Sequence, residues 1–326
     1  MEAIYLEDQW LKVKGGENSS FTTIKINPIC KPDLYLGIND KQNRCLLLIL
    51  PKGFKTHFIG ESKENIKTTY IEKDNYIVLE LLDNYYHNLF NDLIISLFYK
   101  VKDIDNHKES TAVFISTINK WSAFLAKGLN NRLTKEVIKG LLGELTVLNE
   151  FLKDSYASEV NNILDSWQGP YDSNTDFVFD NKNIEVKTKN LESSNVRISS
   201  EFQLDNELGK NLELFVVSLD SNPNSTLNLE LIINEIKDRI IQLNGNLSIL
   251  FDALSAKSLF TSNIKDYNNF KFTLKKHETY SCDIVLEDGR EFPRLIKSEL
   301  PNYINKLKYN INLQKLEDFV VTHKIF

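Results

Sequence analysis

The sequence is poor in cysteine, and the three it has, Cys30, Cys45 and Cys282, show no CxxC motif and no Cys/His spacing. That excludes a disulfide framework and a structural zinc site. Long hydrophobic runs are missing too. The longest, CLLLIL from Cys45 to Leu50, stops at Pro51, far short of the ~20 residues that cross a bilayer. The opening MEAIYLEDQWLK has acids where a secretory signal has a basic segment before its apolar run, so a soluble cytoplasmic protein with reduced thiols and no membrane partner is expected. Positive charge is not in excess. Thirty-nine basic against 45 acidic residues give −6, so nucleic acid would have to be held by a local patch and not by bulk charge. Twelve Gly, seven Pro, a single Met and no repeat with a period of 20–50 residues exclude collagen-like, low-complexity and solenoid architectures. His57, His87, His107 and His323 are scattered and support no histidine-based nucleophile or metal pair.

What is present is ordinary globular material: 42% hydrophobic, 26% charged and 11% aromatic over 326 residues, enough for about two domains. To about Asp83 the chain reads as an antiparallel β-rich domain, with FTTIKI, DLYLGI, RCLLLIL, THFIG, TTYIE and NYIVLELL as short strands between turn clusters. From His87 the apolar period becomes helical, and a second helix is expected from Ser110 to Leu125. A third starts at Thr134 as N-cap and runs to about Leu152. The strands DFVFD, NIEVKT, VRIS and LELFVVSL follow, then helices over Leu227 to Leu243 and Leu247 to Leu259. Strands near FKFTL and CDIVLE come next, and a final apolar-patterned stretch closes the chain. The segments divide as an N-terminal β-rich domain with a linking helix at 1–106, a central α/β core at 107–245 and a mixed C-terminal region at 246–326.

The chemistry concentrates in the central third. Between DFVFD and NIEVKT, Asn181-Lys182 suits a two-residue hairpin turn that places Asp180 opposite Asn183, Val178 opposite Glu185 and Asp176 opposite Lys187. Alternation then puts Asp176, Glu185 and Lys187 on one face, with Phe177, Phe179, Ile184, Val186 and Thr188 on the other. On the preceding helix Val137, Leu141, Leu145, Leu148 and Leu152 form the apolar stripe. Glu144 falls at its edge, whereas Glu136 and Glu150 lie well outside it. A carboxylate facing the core is costly unless partnered, and three of them beside a lysine suit a hard divalent cation and phosphodiester hydrolysis. An ExK triplet alone is weak, since Glu61-Ser62-Lys63 and Glu235-Ile236-Lys237 occur in the same chain.

In order and context, the helix with Glu144, then Asp176, then Glu185-Val186-Lys187 resembles the PD-(D/E)XK nuclease superfamily of restriction and repair endonucleases. GLLGEL, WQGP, IEVKTK, RISSEFQL and LELFVVSL look like the bacterial PD-(D/E)XK motif proteins found beside DNA methyltransferases. Thr175 stands where the superfamily often has Pro. The resemblance implies an α/β (α+β) fold, a restriction-endonuclease-like core with a mixed central sheet flanked by helices, beside the N-terminal antiparallel domain. It implies a Mg²⁺- or Mn²⁺-dependent endodeoxyribonuclease of a restriction-modification or anti-phage defence system, acting on double-stranded DNA as a homodimer with a cognate methyltransferase as partner. The alternative is a catalytically silent DNA-binding or assembly subunit of the same fold. Carried over by residue, Asp176, Glu185, Glu144 and the Val186 carbonyl would hold the metal, and Lys187 would be the catalytic lysine. For DNA contact, Lys120, Lys127, Arg132, Lys135 and Lys139 form a basic stretch against one acid, Glu136. Lys189, Arg197 and Gln203 are further candidates, and Lys271, Lys275, Lys276 and His277 form a weaker second cluster.

Overall fold

The computed structural model describes residues 3–13, 21–63, 65–127, 133–205, 207–260, 263–296, 300–301, 303 and 306–326, with the backbone alone at 3–4 and 122–127. Two compact units result: Met1–Arg132 with Asn246–Ser262, and Leu133–Gly245 with Asn263–Phe326. Residues 107–127, which the sequence reading groups with the central core, thus cluster with the N-terminal strands, as do residues 246–260.

The first unit begins with a helix that was not expected, α1 (Ala3–Lys12). Strands β1 (Phe21–Lys25), β2 (Asp33–Asn39), β3 (Arg44–Ile49), β4 (Ile66–Ile71) and β5 (Tyr76–Leu81) form an antiparallel sheet in the order β1-β2-β3-β5-β4. THFIG, expected as a strand, is irregular. Helices α2 (His87–Val101) and α3 (His107–Lys127) follow.

The second unit carries the candidate site. Helix α4 (Lys135–Lys153) starts where expected, the Thr134 hydroxyl accepting from the Val137 N–H at 3.4 Å. Its buried face is wider than the expected stripe: Val137 is exposed, and Ile138, Leu142 and Val147 are buried beside Leu141, Leu145, Leu148 and Leu152. A short helix that was not anticipated, α5 (Val160–Ser166), packs on α4. Then come β6 (Phe177–Val178), β7 (Lys182–Lys189), β8 (Asn195–Ile198), β9 (Asn211–Ser221) and α6 (Leu229–Gln242), the last capped by Asn228. Helix α7 (Leu247–Ala256) belongs to the first unit. Strands β10 (Phe272–Ser281), β11 (Tyr309–Asn312) and β12 (Val320–Ile325) complete the second, while CDIVLE makes only an isolated bridge, Val285 to Glu291.

The main sheet of the second unit runs β12-β10-β9-β7-β6, with β7 and β9 parallel and the other neighbours antiparallel. It is the mixed α/β architecture the sequence implied. Parallel register sets Glu185 beside Leu214 and Lys187 beside Val216, so both project to the face where Leu212, Leu214, Val216, Tyr280 and the ribbon of β8 and β11 form one core. Val186 and Thr188 project to the opposite face, toward α4. Helix and strand approach closely there because residue 143 is Gly: a Cβ would lie 2.2 Å from Thr188 Cγ2.

Candidate active site

The β6–β7 hairpin pairs Phe177 with Ile184 and Val178 with Asn183, and the Phe179 N–H donates to the Lys182 carbonyl. The turn is therefore Asp180-Asn181, not Asn181-Lys182, and the expected register is corrected by two residues. Side-chain direction has period two, so a slip of two keeps the same faces of the two strands together, and Glu185 and Lys187, two apart on β7, share a face in either register. Asp176 needs a second correction. The ladder stops at Phe177, and Asp176 sits at the edge of β7 instead of above it. Its Oδ2 accepts from the Val186 N–H at 2.7 Å. Because the N–H and C=O of a strand residue point to the same side, the Val186 carbonyl also projects to the Asp176 edge.

Glu144 arrives from α4. The indole Nε1 of buried Trp167 donates to its Oε2 at 2.8 Å. The segment after Trp167 closes the arrangement: the N–H groups of Gln168 and Gly169 both donate to the backbone carbonyl of Asp176, at 2.8 and 3.0 Å. A Cβ on Gly169 would lie 2.4 Å from Glu144 Oε2 and 2.8 Å from Asp176 Oδ1. Those two oxygens are thus no more than about 5 Å apart, near the ~4 Å span of two ligands on one Mg²⁺ with ~2.1 Å bonds. No role follows for Trp167 or Gly169 from the sequence pattern alone. Their positioning of two carboxylates was missed, although WQGP was among the segments carrying the resemblance.

Glu185 is 1% exposed. Burial first, and the neighbouring negative charge of Asp176 next, lift its carboxyl well above the ordinary glutamate range; Lys187 opposes them and Glu144 adds to them. One oxygen, Oε1, accepts from Lys187 Nζ, whereas Oε2 has no hydrogen-bond partner among the described residues. Lys187 also donates to Gln203 Oε1 at 3.1 Å, and the Ser199 N–H donates to the same oxygen at 2.6 Å. Two of the three ammonium N–H groups are thereby directed by the protein.

Among the described residues no three His, Cys, Asp or Glu side chains are gathered as a ready cation cage. The donor chemistry nevertheless fits a hard cation: hydrated Mg²⁺ takes one or two carboxylates and keeps several waters, and a buried carboxylate oxygen without a partner is what such an ion would satisfy. Asp176, Glu185 and the Val186 carbonyl would be the groups to hold such an ion. Glu144 stands beside them with one oxygen committed to Trp167.

The expected DNA contacts are dispersed. Lys120 is exposed in the first unit, the Lys127 side chain and Arg132 lie outside the described residues, and Lys135 is exposed on the first turn of α4. Lys139 binds Asn190 Oδ1 at 2.5 Å, and Lys189 donates to the carbonyls of Leu191 and Ser193 at 3.2 and 2.9 Å. Their hydrogen bonds tie these two to the loop after β7, and burial holds both ammonium groups below the ordinary lysine value. Arg197 is exposed on β8. Of the weaker cluster, His277 is buried against Phe215 and Phe326.

Among the described residues no helix is long and apolar enough to cross a membrane. No curated protein and no solved structure matches the chain. A family model described as "Putative PD-(D/E)XK family member, (DUF4420)" matches residues 6–314, nearly the whole length. The chain, with Asp176 at the edge of β7, Glu144 beside it and Glu185 and Lys187 on β7 itself, therefore belongs to this PD-(D/E)XK family.

Proposed function

We propose that the protein is a Mg²⁺- or Mn²⁺-dependent endonuclease that hydrolyses phosphodiester bonds in double-stranded DNA. The observation that carries this reading is the buried Glu185, with one oxygen on Lys187 and the other without a partner, beside Asp176. Asp176, Glu185 and the Val186 carbonyl would hold the metal, with Glu144 adjoining. When bound, the ion lowers the pKa of a water and offsets the charge developing on phosphate. Lys187, steered by Glu185 and Gln203, directs its remaining N–H outward to orient the attacking water or stabilise the phosphate's negative charge. Trp167 holds Glu144 in place, and Gly169 leaves room for both carboxylates.

Cutting both strands needs two such sites, which makes a homodimer the natural working form. The setting we propose is a restriction-modification or anti-phage defence system with a cognate DNA methyltransferase. A second reading is a catalytically silent subunit of the same fold, in which the Lys187 ammonium neutralises the buried Glu185 carboxylate without a metal. Digestion of methylated and unmethylated plasmid with Mg²⁺ separates the two. Cleavage lost in Asp176→Asn and Lys187→Ala, with unfolding transitions like the parent's, is the expected result. Equal cleavage by both variants, or binding without cleavage by the parent, would overturn the nuclease reading.

A further inference from the structure

Strands β8 and β11 form a two-stranded antiparallel ribbon set apart from the main sheet. In its register Val196 opposes Ile311 and Ile198 opposes Tyr309, and these four turn inward onto the core of the second unit. The alternate positions turn outward: Arg197 lies directly opposite Asn310, and Asn195 opposite Asn312, all four exposed. Two of the four are committed locally. Asn312 Oδ1 accepts from the Gln314 N–H at 3.1 Å, and the Asn195 amide donates to Ser194 Oγ at 3.4 Å. Arg197 and Asn310 have no side-chain partner among the described residues. Neither strand contains an acid, and exposed Lys308 immediately precedes β11.

These residue types have a specific use. A two-stranded ribbon fits the ~12 Å major groove of B-DNA, where arginine forks onto the O6 and N7 of guanine and asparagine onto the N6 and N7 of adenine. The deep, narrow major groove of an RNA duplex does not admit it. The ribbon is also joined to the site. Ser199, the residue after β8, donates its N–H to Gln203 Oε1, which receives Lys187 Nζ, and Tyr309 on β11 lies within electrostatic reach of Glu185.

Resting on the nuclease reading above, we infer that the β8–β11 ribbon is the base-reading element, with Arg197 and Asn310 contacting base edges in the major groove of the DNA held at Asp176, Glu185 and Lys187. A contact to phosphate would hold the duplex without informing sequence, so the distinction is measurable.

The full-length protein is used to select from a pool of random duplexes without Mg²⁺, and the retained sequences are read for the parent, Arg197→Ala, Arg197→Lys and Asn310→Ala. The parent is expected to enrich a motif. Both Arg197 variants are expected to lose preference for a guanine in it, and Asn310→Ala for an adenine, each by ~10- to 100-fold, the discrimination of one bidentate pair. Guanine preference retained in Arg197→Ala, with affinity lowered evenly across all sequences, would mark a phosphate contact and overturn the inference. So would an unchanged motif in all variants, or no motif with the parent. Plasmid cleavage with Mg²⁺ is measured on the same preparations. Altered motifs without parental cleavage would sink the nuclease reading alone, whereas cleavage with unaltered motifs would sink the ribbon alone.

Discussion

Trp167 and Glu144, 23 residues apart, are tied by a hydrogen bond of 2.8 Å from the indole Nε1 to the carboxylate Oε2, and the indole is 1% exposed. A hydrophobic burial thereby fixes the direction of a charged group on the neighbouring helix. Trp167→Phe keeps most of the buried surface and removes the donor. A loss of about 1.5–3 kcal/mol in stability is expected, in line with hydrogen bonds to charged groups. The diagnostic effect is on metal: the Mg²⁺ concentration for half-maximal cleavage should rise severalfold, while activity at saturating metal falls less.

Gly169→Ala places a methyl group 2.4 Å from Glu144 Oε2 and 2.8 Å from Asp176 Oδ1. Both oxygens must retreat. Cleavage is expected to drop by at least about tenfold at limiting metal, since a misplacement of about 1 Å can cost two orders of magnitude. Urea unfolding of the variant should stay close to the parent, because the carboxylates shift and the core does not.

Metal binding can be followed without any cleavage. An ion bound only by the folded protein raises the unfolding temperature in proportion to the logarithm of its concentration. Mn²⁺ is expected to do so for the parent, and not for Asp176→Asn or Glu185→Gln. An equal upward shift in all three proteins would remove these carboxylates from the metal set.

Gly143→Ala sets helix propensity against packing. Alanine favours the helix by about 1 kcal/mol, but its Cβ would lie 2.2 Å from Thr188 Cγ2, and overpacking costs about 1–3 kcal/mol. Net destabilisation is expected, with α4 and Glu144 displaced from β7. Adding Thr188→Ser, which removes the obstructing methyl, should restore a large part of the stability in a double-mutant cycle.

His277 gives the pH dependence. Burial is the main cause that holds its imidazole below the ordinary value of 6.5, with Lys324 assisting and Glu150 opposing. The ring is neutral in the folded protein and takes a proton more readily when unfolded. Its contribution to stability is present above pH 6.5 and is lost as pH falls from there toward the lower folded value. His277→Phe, placed between the Phe215 and Phe326 rings, should lessen the fall in unfolding temperature between about pH 7 and pH 5.

The elements of the site were legible because each rests on local signals: Thr134 caps α4, the apolar period puts Glu144 at the edge of its stripe, and alternation aligns Glu185 with Lys187. The hairpin register was not. DNKN offers two adjacent two-residue turns, Asp180-Asn181 and Asn181-Lys182, and local chemistry does not choose between them. The edge position of Asp176 depends on β6 ending after two residues, which no local pattern announces. Trp167 and Gly169 act through contacts with residues 7 to 25 positions away, so their spacing carries no period to read. Val137 and Ile138 differ by one helical step, and which of them is covered depends on the elements packed over α4.

The hydrogen bond from the Val186 N–H to Asp176 bears on how an inert form of this protein should be made. The β6 ladder ends at the Phe177–Ile184 pair, and the next N–H on that edge is satisfied by the Asp176 carboxylate. Asp176 thus closes a strand edge that would otherwise be open to pairing with another chain. Alanine there removes the closure together with the charge and invites self-association, which could be mistaken for a change in DNA-dependent assembly. Asparagine keeps an oxygen for Val186 and removes only the charge, and it is the substitution to choose for trapping an uncut complex.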